Sequence, residues 1–352
     1  MTSFLRQFGG KITPSDRARY AQSPNWKNGS FQNLESFSMG GTLLDMPKMI
    51  YKQLSNREGR EPKKPLPILP FNKEAFLKDD GAASFIWYGH AVILMRIAGM
   101  TVLIDPMLGP NTTPIAPFAT RRFSEGTLEL IDDFPEIDLL LMSHDHYDHL
   151  DMASIDKLKA KTKQYAVALG VKRHLVEWGV EAERVQEFDW WDSQSYGKLE
   201  INFTPSKHFS GRGLRDRFKS LWGGWTFKTE STNLWFSGDG GYGSHFKEIG
   251  RQLGPFDYAF AECGQYNVDW KDVHQFPDEA VQGALDARAA CAMPYHWAGF
   301  ALSYQHKWWE PAQDFVDAAQ EKGLDYSLPK LGELVKIGDG IKRKNLWWED
   351  NL

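Results

Sequence analysis

The sequence contains little cysteine: Cys263 and Cys291 are its two cysteines among 352 residues. Two cysteines cannot form a disulfide framework, so we expect free thiols in a reducing compartment, with a single disulfide left open. The sequence also lacks any run of about 18 apolar residues, the length that a transmembrane helix requires. Residues 1–17 contain no apolar core of the kind found in signal peptides. These absences predict a cytoplasmic protein that does not cross a membrane, and they leave peripheral contact with a membrane open.

Positive charge is not in excess either. The chain has 41 Lys and Arg against 46 Asp and Glu, a formal net charge of −5. A negative molecule has no overall field that attracts nucleic acid, so we expect no nucleic-acid partner. Hydrophobic residues make up 42% of the chain, which is enough for a large core and excludes disorder for most of it.

The chain divides into two parts by pattern. Residues 1–80 are punctuated by Gly, Pro and Lys and end in the segment REPKKPLPILP, which predicts an extended N-terminal extension packed on the following domain. Residues 81–352 are long enough for one large domain.

Strand-like and helix-like segments alternate through this domain. The run SFIWYGHAVILMRI (residues 84–97) is joined by a turn at Ala98-Gly99 to MTVLIDP, and we expect one β-hairpin from these two runs. Strands and helices then alternate in two comparable halves. The pattern predicts an α/β fold, an αβ/βα sandwich of two mixed β-sheets flanked by helices.

A cluster of histidines follows a buried strand. The apolar run of residues 137–142 stops at SHDHYDHLD, which places His144, His146, Asp148 and His149 on a loop at a strand end. Imidazoles two residues apart on an extended segment point the same way, and a tight turn brings Asp148 and His149 to a second point nearby. This layout suits two adjacent metals. Imidazole and carboxylate ligands suit zinc, iron or manganese, and the absence of cysteine argues against a closed structural zinc site.

Three more candidate ligands follow predicted strands elsewhere. His208 follows EINFTPS, Asp239 follows NLWFSG and His296 follows ACAMPY. Taken singly, they also fit a surface histidine, a turn-forming aspartate and a core histidine. Their shared position at strand ends, where loops converge, favours metal binding for all three.

These residues together resemble the ligand set of the metallo-β-lactamase superfamily. Between residues 84 and 312 the chain further resembles the N-acyl-phosphatidylethanolamine-hydrolysing phospholipases D, in the motifs WYGHA, SHDHYDHLD, FTPSKH, LWGGW, FSGDGGY, HQFPDEAV and HWAGFAL. The resemblance implies a metallo-β-lactamase fold and two Zn²⁺ ions per chain, with Fe or Mn as alternatives. It implies His144, His146 and His208 as ligands of the first metal, Asp148, His149 and His296 as ligands of the second, and Asp239 as the bridge.

The resemblance also implies a reaction. A hydroxide between the metals would attack the phosphorus of a phosphodiester in N-acyl-phosphatidylethanolamine or a related phospholipid. Asp148, Asp239 and His274 are the residues expected to take part in catalysis, with His274 holding the phosphate or protonating the leaving group. Asp105 is expected to orient ligand histidines, and His90 to pack beside the site.

A basic segment, GRGLRDRFKS, follows His208. Arg212 and Arg215 are candidates for contact with a phosphate or lipid head group, although most charge runs are solvated surfaces. Phe218, Leu221, Trp222 and Trp225 are interleaved with it, which suggests a stretch lying on a membrane.

Several alternatives stay open at this point. The family has Thr where this chain has Gly240, so a hydroxyl beside Asp239 is missing. A lactonase resembling the L-ascorbate-6-phosphate lactonases, acting on a small molecule, is the alternative enzyme, and a non-catalytic metal-binding protein is the alternative of another class. A homodimer is compatible with the sequence, which does not determine the oligomeric state.

Overall fold

The computed structural model describes residues 3–36, 46–55, 58–78, 81–113, 120–213, 216–338 and 346–351. The N-terminal part consists of short elements. They are helices α1 (Ser3–Arg6) and α2 (Pro14–Tyr20), the two-stranded pair β1 (Trp26–Lys27) and β2 (Ser30–Phe31), and helices α3 (Met46–Ser55) and α4 (Lys73–Leu77).

The first large sheet has seven strands. They are β3 (Ser84–Trp87), β4 (Ile93–Ile97), β5 (Met100–Ile104), β6 (Ile137–Met142), β7 (Thr162–Ala168), β8 (Val185–Phe188) and, from the C-terminal part, β16 (Leu334–Lys336). Their order is β16-β3-β4-β5-β6-β7-β8. Pairing is antiparallel from β16 to β5 and parallel from β5 to β8.

The second sheet also has seven strands. They are β9 (Ser193–Tyr196), β10 (Leu199–Thr204), β11 (Gly224–Lys228), β12 (Asn233–Phe236), β13 (Tyr258–Glu262), β14 (Cys291–Tyr295) and β15 (Asp325–Tyr326), in the order β15-β14-β13-β12-β11-β10-β9. This sheet is antiparallel from β9 to β12 and parallel from β12 to β15.

Helices connect the parallel strands. They are α5 (Leu130–Asp133), α6 (Met152–Leu158), α7 (Lys172–Glu177), α8 (His245–Gln252), α9 (Pro277–Asp286) and α10 (Glu310–Lys322), with single 3₁₀ turns at Ala182–Arg184, Val268–Trp270 and Trp347–Asn351. The predicted α/β sandwich of two mixed sheets with flanking helices is confirmed. In the described part of the chain, no helix is both long and apolar enough to cross a membrane.

The two sheets pack through their inner faces. Phe85 of β3 and Phe260 of β13 meet edge to face with ring centroids 4.9 Å apart, and both are fully buried. Burying each such ring contributes about 2 kcal/mol relative to exposure. The sandwich therefore holds the strand ends, and the loops that leave them, on a stable base.

One sequence expectation about the strands is wrong. Residues 84–97 form two antiparallel strands rather than one, with Trp87 paired to Ile93. Gly89 and His90 adopt positive φ values of 83° and 52° and turn the chain between them. A side chain at Gly89 would place its Cβ 2.9 Å from the Ala298 carbonyl oxygen, so only glycine fits this turn. The turn brings His90 to the same edge as the histidine cluster.

Candidate metal centre

The candidate ligands meet at one edge of the sandwich. His144 follows β6, His208 follows β10, Asp239 follows β12 and His296 follows β14. In the second sheet, β10, β12 and β14 end at the same edge, because β10 and β12 each pair antiparallel with β11, and β12 to β14 are parallel. The loop after β6, in the first sheet, reaches the same place, since His149 Nε2 lies 3.1 Å from His296 Nε2. Strand-end loops converge here, as the sequence predicted.

Three ring nitrogens form the first group. His144 Nε2 lies 2.9 Å from His146 Nδ1, and His208 Nε2 lies 3.2 Å from the same atom. The three ligand atoms fall within 4.8 Å of one another. Tetrahedral zinc with Zn–N bonds of 2.0–2.1 Å has ligand-to-ligand edges of about 3.3 Å. The spacing of this group therefore fits one divalent cation.

The second group contains two histidines and two carboxylates. His149 Nε2 lies 3.1 Å from His296 Nε2, and each nitrogen lies 3.0 Å from Asp239 Oδ2. Asp148 Oδ2 is 3.5 Å from His296 Nε2 and 3.9 Å from His149 Nε2. These four side chains fit a second divalent cation, with Asp239 on the side of His208.

Buried polar atoms of the second group require a positive partner. His149 Nδ1 donates to Asp105 Oδ2 at 2.8 Å, so a neutral His149 presents an Nε2 lone pair to His296. Asp239 is 2% exposed, and its Oδ1 has no hydrogen-bond partner among the described residues. An isolated buried carboxylate oxygen is costly unless a cation or donor compensates it. The donor set thus fits metal ions by both geometry and charge.

The pKa shifts of the histidines in the cluster also favour metal binding. Burial holds the pKa of His144 and of His208 well below the usual histidine value, which keeps both imidazoles neutral as metal ligands must be. Burial also disfavours the charged form of His149, but the Asp239 and Asp148 carboxylates outweigh it and raise the pKa of His149 to about 10. The second group therefore attracts positive charge, which a divalent cation supplies.

Asp105 connects the ligand histidines beneath the site. Its Oδ1 accepts the Ser143 amide at 2.8 Å, and its Oδ2 accepts the Ser143 hydroxyl at 2.5 Å. Ser143 Oγ in turn lies 2.8 Å from His144 Nδ1. Together with its bond to His149, these contacts let Asp105 fix the rings of His144 and His149 with Nε2 towards the site.

Three residues of the site adopt backbone conformations that side chains rarely take. The φ angles are 52° at His90, 42° at Asp105 and 75° at His296. Such conformations each cost of order 1 kcal/mol and persist where the surrounding structure enforces them. Here the strain lies at the strand ends that aim side chains into the cluster.

His90 contacts the second group directly. Its Nε2 lies 3.0 Å from Asp148 Oδ2, and its ring centroid lies 4.0 Å from that of His296. Burial lowers the pKa of His90 to about 3, so the ring is neutral and donates to the Asp148 carboxylate. His90 thus orients Asp148, which is a closer connection than the packing role that the sequence suggested.

Glu262, at the end of β13, was missed by the sequence reasoning. Its side chain is fully buried, and its Oε1 lies 3.2 Å from His274 Nδ1 and 3.3 Å from His296 Nδ1. Its Oε2 accepts the Gln275 amide at 3.0 Å. The same strand-end position that marked His208 and His296 was available to find it.

His274 faces the cluster from the side, as expected for a group near the substrate. Its ring stacks at 5.2 Å on that of His296 and meets that of His208 at 5.2 Å. Its side chain is 15% exposed. His146 and Asp148 are also half-buried, whereas the other five candidate ligands are buried. These three residues therefore line the open side of the cluster.

The expected phosphate contact at Arg212 is wrong. Arg212 is 3% exposed, and its Nη1 donates to the carbonyl oxygens of Asp145 at 2.8 Å and Leu150 at 2.7 Å. Its guanidinium therefore holds the backbone of the histidine loop and cannot reach a substrate. Arg215 lies outside the described residues.

The expected membrane-lying stretch after Arg212 is also wrong in its apolar part. Leu221, Trp222 and Trp225 are fully buried. Trp222 Nε1 donates to the Ser206 carbonyl at 3.1 Å, inside the loop that carries His208. These aromatic residues belong to the core because the segment turns inward into β11.

Close packing between two loops explains why residue 240 is a glycine. A Cβ at this position would lie 2.9 Å from the Lys207 amide nitrogen and 3.1 Å from Ser206 Cβ. The loop that carries Asp239 therefore approaches the backbone of the loop that carries His208, and no larger residue fits there without moving one of them.

Comparison with known sequences and structures gives consistent results. The sequence model described as a β-lactamase superfamily domain matches residues 100–297. An uncharacterised protein of Mycobacterium tuberculosis is 33% identical over 96% of this chain and 91% of its own length. The N-acyl-phosphatidylethanolamine-hydrolyzing phospholipase D 1 of Caenorhabditis elegans is 29% identical over 89% of this chain and 94% of its own length.

Among solved structures, a metallo hydrolase of Ignicoccus hospitalis has a similar fold. It aligns with a TM-score of 0.56 at 18% identity, over 74% of this chain and all of its own length. At this identity the similarity concerns the fold.

Proposed function

The chain belongs to the metallo-β-lactamase superfamily, and from this premise we propose that it is a binuclear metal-dependent phosphodiesterase. Its substrate in this proposal is N-acyl-phosphatidylethanolamine or a related phospholipid, cleaved in the manner of a phospholipase D. The observation that carries the proposal is the convergence of seven His and Asp side chains on two adjacent points at one edge of the sandwich. Membership of this superfamily supports metal-dependent hydrolysis as the activity.

The two groups would hold one metal each. His144, His146 and His208 would bind the first ion, and Asp148, His149 and His296 the second, with Asp239 shared between them. Two bound cations lower the pKa of a coordinated water and neutralise the charge that builds up on the attacked phosphorus.

The remaining residues of the site would position the metal ligands and transfer a proton to the leaving group. Asp105 accepts from His149 Nδ1 and so directs its Nε2 towards the site, and the Glu262 carboxylate lies 3.3 Å from His296 Nδ1. His274 stands on the open side, and Glu262 fixes its Nδ1 so that Nε2 is left for the substrate. In the proposal Nε2 holds a phosphate oxygen or gives a proton to the departing alkoxide.

The lipid substrate is supported by the Caenorhabditis elegans relative. That protein is described as hydrolysing N-acyl-phosphatidylethanolamine, and 89% of this chain aligns with 94% of it. An alignment of this extent covers more of the chain than the superfamily domain matched at residues 100–297. A protein acting on such a lipid must also contact lipid vesicles, and flotation without any vesicle binding would count against this substrate.

The direct test measures products. The wild-type protein, loaded with Zn²⁺, should release phosphatidic acid and N-acylethanolamine from N-acyl-phosphatidylethanolamine, and Asp239→Asn should abolish release. Asp257→Asn is the matched control, because Asp257 is exposed and caps β12 at the opposite end of the sheet.

The other outcomes are decisive as well. Hydrolysis of a lactone such as L-ascorbate 6-phosphate, without release of phosphatidic acid, would replace the lipid substrate but keep the metal-dependent hydrolase. A metal-loaded protein that cleaves neither compound would overturn the phosphodiesterase proposal and favour a binding function.

A further inference from the structure

The N-terminal segment, residues 3–36, contacts two loops of the metal centre and reaches a third through Arg212. The direct contacts are to the loop of residues 205–212 after β10 and to the loop of residues 237–244 after β12. Arg212 connects the segment to the loop of residues 143–151 after β6. The superfamily match begins only at residue 100, so this segment lies outside it.

Asn33 contacts a candidate ligand through two hydrogen bonds. Its Nδ2 donates to the His208 carbonyl at 2.8 Å, and its Oδ1 accepts the His208 amide at 3.0 Å. The same Oδ1 accepts Trp222 Nε1 at 3.2 Å. The side-chain amide of Asn33 thus pairs with both backbone groups of His208, as a neighbouring strand would.

The ring of His208 is fixed separately. Its Nδ1 donates to the Val273 carbonyl at 2.9 Å, which leaves Nε2 towards His146. His208 is fully buried, so its backbone groups need partners from the protein. Asn33 supplies both, and the position of the ring then depends on the backbone that Asn33 holds.

Two further contacts extend this connection. The Gln7 carbonyl accepts Arg212 Nη2 at 2.8 Å, and Arg212 in turn holds the carbonyls of Asp145 and Leu150. Glu35 Oε1 accepts the Ser244 amide at 2.8 Å in the loop that follows Asp239. One continuous segment therefore contacts the loops after β10 and β12 directly and is linked to the loop after β6 through Arg212.

We infer that the N-terminal segment is a working part of the metal centre and that Asn33 is a positioning residue for His208. The inference rests on the proposed metal centre. Residues that orient metal ligands typically contribute a factor of about 10 to 100 in metal affinity. Asn33 acts on the backbone of the ligand rather than on its ring, which sets it apart from Asp105 and Glu262.

The test compares Asn33→Ala and Asn33→Asp with Asn25→Ala. Asn25 lies in the same segment, but its amide binds Asp189 instead of a ligand loop. Zn²⁺ affinity, measured by competition with a chromogenic chelator, should fall about 10- to 100-fold in Asn33→Ala and stay unchanged in Asn25→Ala. Asn33→Asp keeps the acceptor for the His208 amide and loses the donor to its carbonyl, so its affinity should lie between the two.

A second readout needs no metal. In the metal-free protein, hydrogen exchange of the His208 amide should accelerate in Asn33→Ala, remain slow in Asn33→Asp, and be unchanged in Asn25→Ala.

If Asn33→Ala does not fold, Asn33→Asp still tests the inference through metal affinity. Wild-type Zn²⁺ affinity in both Asn33 variants would overturn the role of Asn33 and leave the proposed function standing. A wild-type protein that binds no Zn²⁺ would overturn the proposed function itself.

Discussion

At the scale of single residues, the geometry separates metal ligands from groups that serve the substrate. His274 contacts the rings of two ligands but stands on the open side, with Glu262 behind it. A group in this place can lose its function without loss of the metals. The candidate ligands, by contrast, direct ligand atoms at one another and at the cations they would hold.

His274→Asn should therefore lower kcat by a factor of about 100 or more, as expected for the loss of a proton-transferring or phosphate-holding group. Metal content should stay at the wild-type value. Steady-state kinetics on N-acyl-phosphatidylethanolamine and elemental analysis of the same sample check both statements. His306→Asn, at a histidine outside the ligand cluster, is the control, and equal activity in the two variants would show that His274 has no such role.

Glu262 serves a ligand and the open-side histidine at once. Glu262→Ala removes the partner of both His296 and His274 and should weaken metal binding about 10- to 100-fold, as well as lowering kcat. Glu262→Gln keeps an acceptor and should recover most of the metal affinity. Isothermal titration with Zn²⁺ distinguishes the two variants. Equal affinity in wild type and Glu262→Ala would contradict the positioning role.

At the scale of elements, the strand ends decide the site, and here the sequence was most informative. An apolar run followed by His or Asp located His144, His208, Asp239 and His296 before any fold was known. Glu262 ends a strand of the same kind, but the sequence did not predict it as a site residue. A single Glu at a strand end is a weak signal unless its neighbours also point to a site. Local patterns thus predict the candidate ligands and miss a partner that only the folded chain brings close.

Contacts between distant parts of the chain were beyond the sequence. Asn33 reaches His208 across 175 residues, and no local pattern marks such a pairing. The predicted phosphate contact of Arg212 is wrong for a related reason. The burial of its charged side chain depends on carbonyl groups from another loop, which the local sequence does not show. The split of residues 84–97 into two strands was missed because a bend with positive φ at His90 is uncommon for a residue other than glycine.

The contact between two ligand loops at Gly240 yields a prediction at this scale. Gly240→Thr would restore the hydroxyl of the related family but place a Cβ 2.9 Å from the Lys207 amide nitrogen. The loop carrying His208 must then shift, so we expect lower Zn²⁺ affinity and a lower melting temperature. Gly213→Ala is the control, since its Cβ would meet Asp216 at an ordinary 3.6 Å. A fully active Gly240→Thr protein would show that the loop adjusts freely.

At the scale of the whole molecule, the metals should act as a clamp between the two sheets. Their proposed ligands come from the first sheet, through the loop after β6, and from the second, through the loops after β10, β12 and β14. An ion that is bound by loops of both sheets stabilises the folded state and not the unfolded chain. Binding at a free concentration 1,000 times the dissociation constant contributes about 4 kcal/mol per ion.

Removal of the metals with a chelator should therefore lower the melting temperature by roughly 8 °C for each ion, given about 2 °C per kcal/mol in a chain of this size. Zn²⁺ added back should restore it. Differential scanning calorimetry on the metal-free and reloaded protein checks this. The same melting temperature with and without chelator would mean that the sheets are not joined through metals.

Metal stoichiometry tests the central claim most directly. The protein, stripped of metal and dialysed against excess Zn²⁺, should hold two ions per chain by inductively coupled plasma mass spectrometry, because the seven His and Asp side chains form two adjacent groups. Fewer than two ions per chain after dialysis against Zn²⁺, and likewise after dialysis against Fe²⁺ or Mn²⁺, would contradict the account.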